Sequence, residues 1–361
     1  MPSKSRTVSK SGRRQSLLAY TAVVLSVIAI VISAIGYVHP KIEYINQTKT
    51  VYVNGTSSSA PVNLTRYNIS GSLITPATSL QGYPPITTVG TPGNTLYGLN
   101  APLNASELAV INNASDSYFE KAGEMLLNRS LANSVGSTVK SVQPFIVNGK
   151  PSVIYLGSIT CVFCGENRWA MALALGRFGN FSSLYTGYSS LGDSDVPTIY
   201  WAPSHYNISG IDLGSFYSSN YINFIPFEST DPITAGFDLQ PISQMQQIVN
   251  QSGNNVYMKA FDYIVQINNF QGTPWTIWGT SQVGGADAVD FGNSTATAPQ
   301  PFADWTHAQV FSLLRNPNSQ FAWTEYAAAD LYIAMTCASL NNTAGICQLP
   351  VISQIETAEG Y

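Results

Sequence analysis

Two cysteines, Cys161 and Cys164, stand three residues apart where an apolar, strand-like run (153–156) gives way to a helix-like pattern. That junction restricts the fold more than any other feature of the chain. A dithiol at a helix N-terminus faces amide N–H groups that no preceding turn can satisfy, and their partial positive charge favours thiolate over thiol. In such places a cysteine pKa drops from about 8.5 into roughly the 3.5–7.5 range. The spacing therefore predicts a strand that stops, a turn, and a helix presenting Cys161 as an exposed nucleophile with Cys164 one turn deeper as its resolving partner. Half of a zinc site and an inert disulfide share this spacing. Zinc needs a second clustered pair, but Cys337 and Cys347 are wrongly spaced for one and His39, His205 and His307 are scattered, so no metal is expected.

The flanking residues extend the pattern. Residues 145–147, an Asn148-Gly149 turn and residues 152–156 predict a hairpin entering a sheet. After the cysteines, Trp169, Ala172, Leu173 and Gly176 recur at helical spacing and give that helix one apolar face. Strands are expected at 184–188, 198–201 and 263–267, and a short helix at 241–249. The Asn-, Ser-, Tyr- and Pro-rich stretch from 203 reads as an insertion reaching to about 260. Thr273-Pro274 opens a short strand at 275–278, a position where proline is tolerated. Helices are expected between 105 and 131, ahead of the sheet. A C-terminal helical hairpin over about 303–350 carries Cys337 near the end of its second helix. Nine residues then separate Cys337 from Cys347, enough to turn back and join the two as a structural disulfide that closes a short loop. A shuttle passing electrons to Cys161 is the alternative role for that pair.

The first hundred residues hold little that could form a core. Residues 1–16 are a basic leader with Lys4, Arg6, Lys10, Arg13 and Arg14 and no acid, and residues 17–38 contain no charge, enough helix to cross a bilayer. The leader's cations predict a cytoplasmic N-terminus and an extracytoplasmic remainder on a single-pass anchor. A cleaved signal peptide is the competing reading, though the apolar run is longer than such peptides use. Residues 39–103, rich in Ser, Thr, Asn and Pro, read as a stalk, and 104–361 as the folded domain.

Without the leader's five cations, the net charge of −4 becomes about −9, which excludes nucleic acid as a partner. Twelve Asn-x-Ser/Thr sequons follow the apolar segment and none precedes it, as in a glycosylated surface chain. General richness in Asn, Ser and Thr would produce some of them without function. No Gly-rich phosphate loop, His-Glu-x-x-His or nucleophile elbow is present.

Strand, dithiol, helix and a later Thr-Pro before a strand occur in the order found in thioredoxin-like proteins. That resemblance implies an α/β fold: a thioredoxin-like sheet flanked by helices, with an insertion between the cysteine helix and a cis-proline strand. It also implies that Thr273 and Pro274 align a bound polypeptide. Cys161-Val-Phe-Cys164-Gly-Glu-Asn-Arg-Trp169-Ala, Arg177-Phe-Gly-Asn-Phe-Ser-Ser-Leu184, Phe224-Ile-Pro-Phe-Glu228 and residues 329–347 together resemble the domain of unknown function 929 family over roughly residues 105–350. The resemblance implies membrane-anchored, thioredoxin-like proteins of archaea and some bacteria. Two departures stand out: Val162-Phe163 replaces the Pro-Tyr common between the cysteines, and Gly165 replaces a helix-favouring alanine.

These features predict an extracytoplasmic thiol–disulfide oxidoreductase with no cofactor beyond its own redox-active disulfide. Its partners would be polypeptides bearing thiols or disulfides and a membrane redox protein that recharges the pair. The alternative is a non-catalytic, membrane-anchored surface glycoprotein that keeps the scaffold with both cysteine pairs merely structural. Glu166 is expected to be a solvated helix carboxylate, Arg168 a surface cation and Trp169 a core anchor.

Overall fold

A computed structural model describes residues 68–71, 102–128, 134–135, 140–158, 161–189, 196–201, 216–229, 240–268, 272–284, 289–290, 305–316 and 318–361. The leader, the expected span at 17–38 and nearly all of the stalk lie outside the described residues. Among the described residues no helix is long and apolar enough to cross a membrane.

The chain enters as β1 (Asn68–Ile69), then α1 (Ala105–Asn112) and α2 (Asp116–Leu127). Short strands β2 (Lys140–Ser141) and β3 (Ile146–Val147) precede the long β4 (Lys150–Ser158), which leads to α3 (Val162–Leu175). Four strands follow: β5 (Gly179–Phe181), β6 (Tyr185–Tyr188), β7 (Pro197–Tyr200) and β8 (Tyr217–Ser219). Then come β9 (Asn223–Ser229), α4 (Gln240–Gln251), α5 (Asn255–Asn268), β10 (Trp275–Trp278) and β11 (Ser281–Gly284). The C-terminal part is α6 (His307–Leu314), α7 (Gln320–Ser339), a 3-10 turn (Gly345–Gln348) and α8 (Pro350–Glu359).

The result is a mixed α/β architecture with a sheet flanked by helices. β4 is central: β9 runs parallel to it from Asn223↔Ser152 to Ser229↔Ser158, and β10 runs antiparallel from Trp275↔Leu156 to Trp278↔Val153. β11 pairs antiparallel with β10, and β2 closes that edge against β11. At the start of β4, β3 forms a hairpin whose turn, Asn148-Gly149, takes positive φ at both residues, as the sequence predicts. With partners on both edges and packed faces, every residue from 152 to 158 is buried, which explains why this strand reads as a continuous apolar run without alternation. Each such Val, Ile or Leu side chain contributes roughly 1.5–3 kcal/mol by burial. Pro226 is accommodated because β9 pairs only with β4 among the described strands, leaving its other edge without a ladder bond to lose.

The hairpin and the strands at 185–188, 197–200 and 275–278 match the sequence expectation, as do the helices at 240–251 and 320–339. Three expectations do not hold. Residues 263–267 are not a strand but part of α5, where Val256, Ala260, Phe261 and Ile264 are buried at helical spacing; five residues were too short a window to separate the two periods. The expected insertion over about 203–260 contains β9, a partner of the central strand, and most of the α4–α5 pair. Directly after α3, β5 pairs with β8 and β6 with β7 in two small separate sheets. The C-terminal region also runs beyond a hairpin, since α8 packs back on α7 and α2. Gly123 permits that packing: a methyl group there would come within 2.5 Å of Val351 Cγ2.

α3 is covered on all sides, and Phe163 is its only residue that is not buried. Trp169 donates its indole N–H to the Pro197 carbonyl and meets Phe311 of α6 edge-on. Asn167 accepts from the Tyr332 hydroxyl of α7, and Tyr332 stacks on Trp278 of β10 at 4.3 Å. A helix buried all round needs partners for every polar group it carries.

Candidate functional site: a dithiol at the head of a buried helix

β4 delivers the chain to α3, with Cys161 as the N-cap residue in extended conformation. The Cys161 sulfur accepts the Cys164 N–H at 3.4 Å, and its carbonyl begins the helical ladder by accepting from Gly165 at 2.9 Å. The Cys164 sulfur in turn accepts the backbone N–H of Ser158, also at 3.4 Å. Both sulfurs thus face N–H dipoles, an arrangement that stabilises negative charge on either one. Neither Cys161 nor Cys164 is joined in a disulfide.

Depth separates this geometry from the expected exposed nucleophile. Cys161 is only 5% exposed and Cys164 is fully buried, whereas Phe163 between them is 48% exposed. Burial drives the Cys164 thiol well above its usual pKa, helped by its bond with Cys161, while Arg168 and the Ser158 N–H act in the opposite sense.

Arg168 lies one turn beyond Cys164, and it is not a surface cation but completely buried. Its Nη2 donates to the Ser158 carbonyl at 2.8 Å and its Nε to Glu228 Oε1 at 2.6 Å. Tyr155 and Tyr200 place their rings 6.0 and 5.6 Å from the guanidinium carbon. Burial would favour loss of the Arg168 proton, but Glu228 together with Tyr155, Cys164 and Tyr200 outweighs it and keeps the group charged. Glu228 sits on β9 opposite Gly157, and its carboxyl is raised above the usual range by burial, with Arg168 pulling it down. Ser158 therefore connects the two groups, giving its N–H to Cys164 and its carbonyl to Arg168. Thr198 braces the first turn by donating to the Gly165 carbonyl at 2.6 Å, and its own carbonyl meets His307 Nε2 at 2.7 Å.

Glu166 is likewise buried, contrary to the solvated carboxylate expected of it, and Trp169 is the core anchor foreseen. Sequence reasoning missed the Arg168–Glu228 pair. Its signal was a charge inside each of two apolar runs, the helix 162–175 and the strand 223–229.

Thr273 and Pro274 come to the same end of the sheet. The β10–β4 register, carried back two residues from Trp275↔Leu156, brings Thr273 level with Ser158. The Thr273–Pro274 bond is cis, and Asn268 at the end of α5 donates to the carbonyl of Gly272, just ahead of that bond, at 2.7 Å. Cys337 and Cys347 form a disulfide between the end of α7 and the 3-10 turn. Ser339, two residues past Cys337, abuts Gly279 at the other end of β10, which sets that disulfide apart from Cys161. Among the described residues no group of three or more His, Cys, Asp or Glu gathers as a metal site would require.

Fold and site define an α/β protein whose central strand hands a Cys-x-x-Cys pair to a helix N-terminus above a buried ion pair. Residues 138–280 match the model of the family described as Domain of unknown function (DUF929), the family its motifs resemble. The matched stretch runs from before β2 to the β10–β11 turn and includes both free cysteines, Arg168, Glu228 and Pro274. It is shorter than the 105–350 of the motif resemblance. No curated protein and no solved structure matches the chain.

Proposed function

We propose that this protein is a membrane-anchored, extracytoplasmic thiol–disulfide oxidoreductase of thioredoxin-like fold, with Cys161 as nucleophile and Cys164 as resolving thiol. The observation that carries the reading is the placement of both sulfurs on backbone N–H groups at the start of α3. The strand order β9-β4-β10-β11, with one parallel and two antiparallel pairings and α3 between β4 and β9, supports the fold assignment. Thr273 and Pro274, level with the end of β4, would align the polypeptide client.

In the reductive direction the Cys161 thiolate attacks a client disulfide. A Cys161–client S–S bond forms, the client S–S bond breaks, and the departing sulfur takes a proton. Cys164 then gives up its proton and attacks Cys161 Sγ, which releases the second client thiol and leaves a Cys161–Cys164 disulfide. Two electrons pass from the dithiol to the client, and the reverse sequence oxidises a client dithiol. A membrane redox protein would reset the pair.

One observation favours the rival, a tethered glycoprotein scaffold: the near-complete burial of Cys161. Trapping separates the two. With Cys164→Ser, an exchanging enzyme accumulates a mixed disulfide between Cys161 and a disulfide-bearing polypeptide, visible as a reductant-sensitive mass increase. With Cys161→Ser no adduct forms. Absence of adduct from Cys164→Ser removes the enzyme reading.

A further inference from the structure

The sequons sort by exposure. Among the described residues, the sequon asparagines Asn68, Asn104, Asn113, Asn128, Asn180, Asn250 and Asn341 are all exposed. The described asparagines outside sequons are divided: Asn167, Asn223 and Asn268 are buried, Asn112, Asn254 and Asn342 are partly so, and Asn148, Asn220, Asn255, Asn316 and Asn318 are exposed. Mere richness in Asn, Ser and Thr would scatter sequons over both classes.

Five of the seven also share a position. β4 begins at Lys150 and ends at Ser158, roughly 26 Å on, so its start marks the end of the sheet far from the cysteines. Asn68 pairs with Ile146 in the β3–β4 hairpin at that far end. Asn180 follows Gly179, which is paired with Ser219, and the Ser219 carbonyl accepts from Lys150 Nζ. Asn113 adjoins Asn112, whose side-chain amide exchanges two bonds with Phe181, next to Asn180. Asn250 lies in the last turn of α4, and the turn into α5 brings Val256 against Gly71, which is itself bonded to Asn148 of the hairpin. Asn341 is two residues beyond Ser339, which abuts Gly279 where β10 ends.

We infer that the far end of the sheet is an N-glycosylated face, with Asn68, Asn113, Asn180, Asn250 and Asn341 as acceptors. The donor is a polyisoprenyl-phosphate- or pyrophosphate-linked oligosaccharide. The acceptor amide nitrogen forms a bond to the sugar's anomeric carbon, the anomeric carbon–oxygen bond to the lipid phosphate breaks, and the amide proton leaves to a base on the transferase. Sugar at that end adds bulk and hydration to a chain with few charges, while a polypeptide can still approach Phe163 and Cys161. This inference rests on the extracytoplasmic reading but not on the redox one.

The test is glycopeptide mass spectrometry on the full wild-type chain, made in a host that N-glycosylates its exported proteins, together with protease treatment of the intact cells. The expected result is a sugar mass on at least three of the five far-end asparagines. Sugar on two or fewer overturns the inference. In that case, a folded domain that the external protease removes leaves the location reading standing, and one that it spares takes that reading down too.

Discussion

Replacing Arg168 with Met tests the buried ion pair most sharply. The guanidinium is wholly buried and makes close bonds to Glu228 and the Ser158 carbonyl, so its removal strips the buried Glu228 carboxyl of its cationic partner and leaves the Ser158 carbonyl only its 3.3 Å bond from the Cys161 N–H. Breaking such a pair from one side costs about 3–5 kcal/mol. That is a large share of the 5–15 kcal/mol that typically holds a domain together. It corresponds to a roughly hundred- to several-thousand-fold shift toward the unfolded chain. Urea unfolding of the full chain in detergent, followed by tryptophan fluorescence, reads the change, because Trp169, Trp201 and Trp278 are buried. Arg168→Met paired with Glu228→Gln should lose at least about 1 kcal/mol less than the sum of the single losses, since the second change removes the stranded charge. The thiol should respond as well. Arg168 acts to lower the Cys164 pKa, so resolution of a mixed disulfide by Cys164 should slow in Arg168→Met at a fixed pH. A single-variant loss below about 1 kcal/mol, or strict additivity in the double variant, refutes the reasoning.

Phe163→Ser should leave the unfolding midpoint within about 0.5 kcal/mol of wild type, because the ring is half in solvent, yet slow exchange with a polypeptide disulfide more than with a small one; equal slowing of both would remove Phe163 from client binding. Neither oxygen of the Asp330 carboxyl meets a hydrogen-bond partner among the described residues, and burial raises its pKa well above the usual range, with Arg177 opposing. The unfolded group ionises near pH 4, so the folded chain holds this proton more tightly; the resulting stability is full below about pH 4 and is lost as pH rises toward the folded pKa. Asp330→Asn should therefore raise Tm at pH 7 and do so progressively less toward pH 4, and a pH-independent difference would contradict this. Cys337→Ser with Cys347→Ser should cost about 2–3 kcal/mol, the chain-entropy value for a loop of this length, without altering exchange at Cys161; a fall in exchange would revive the electron-shuttle role.

Much of the frame was legible because its signals are local. Asn148-Gly149 specifies a turn with two positive φ values, Pro274 marks a strand start, and the run at 153–156, following that turn, reads as a strand. The spacing of Cys161 and Cys164 was enough to put them at a helix head. What escaped depends on partners distant in sequence. Arg168 and Glu228 are sixty residues apart and meet only because β9 lies parallel to β4; Arg168 considered singly looked like a charge bound for solvent, and Glu228 carried no signal of a partner. α3 was expected to bury one face, but its other sides are covered by the β6–β7 hairpin and α7, and nothing within the helix itself announces such a cover. The misplaced insertion has a similar origin. Composition drew attention to the Asn- and Ser-rich stretch after 203, while the elements that interrupt the path from α3 to β9 begin at Gly179 with ordinary strand residues.

As a redox catalyst, the folded chain must let Cys161 and Cys164 interconvert between dithiol and disulfide. Equilibrating the full chain in graded glutathione or dithiothreitol buffers, then alkylating the free thiols and weighing the peptide that carries both cysteines, measures this directly. A half-reduced point well above about −300 mV, absent in Cys161→Ser, is the predicted result. A pair that stays oxidised below that potential, or that no alkylating reagent reaches in the folded protein, contradicts the claim.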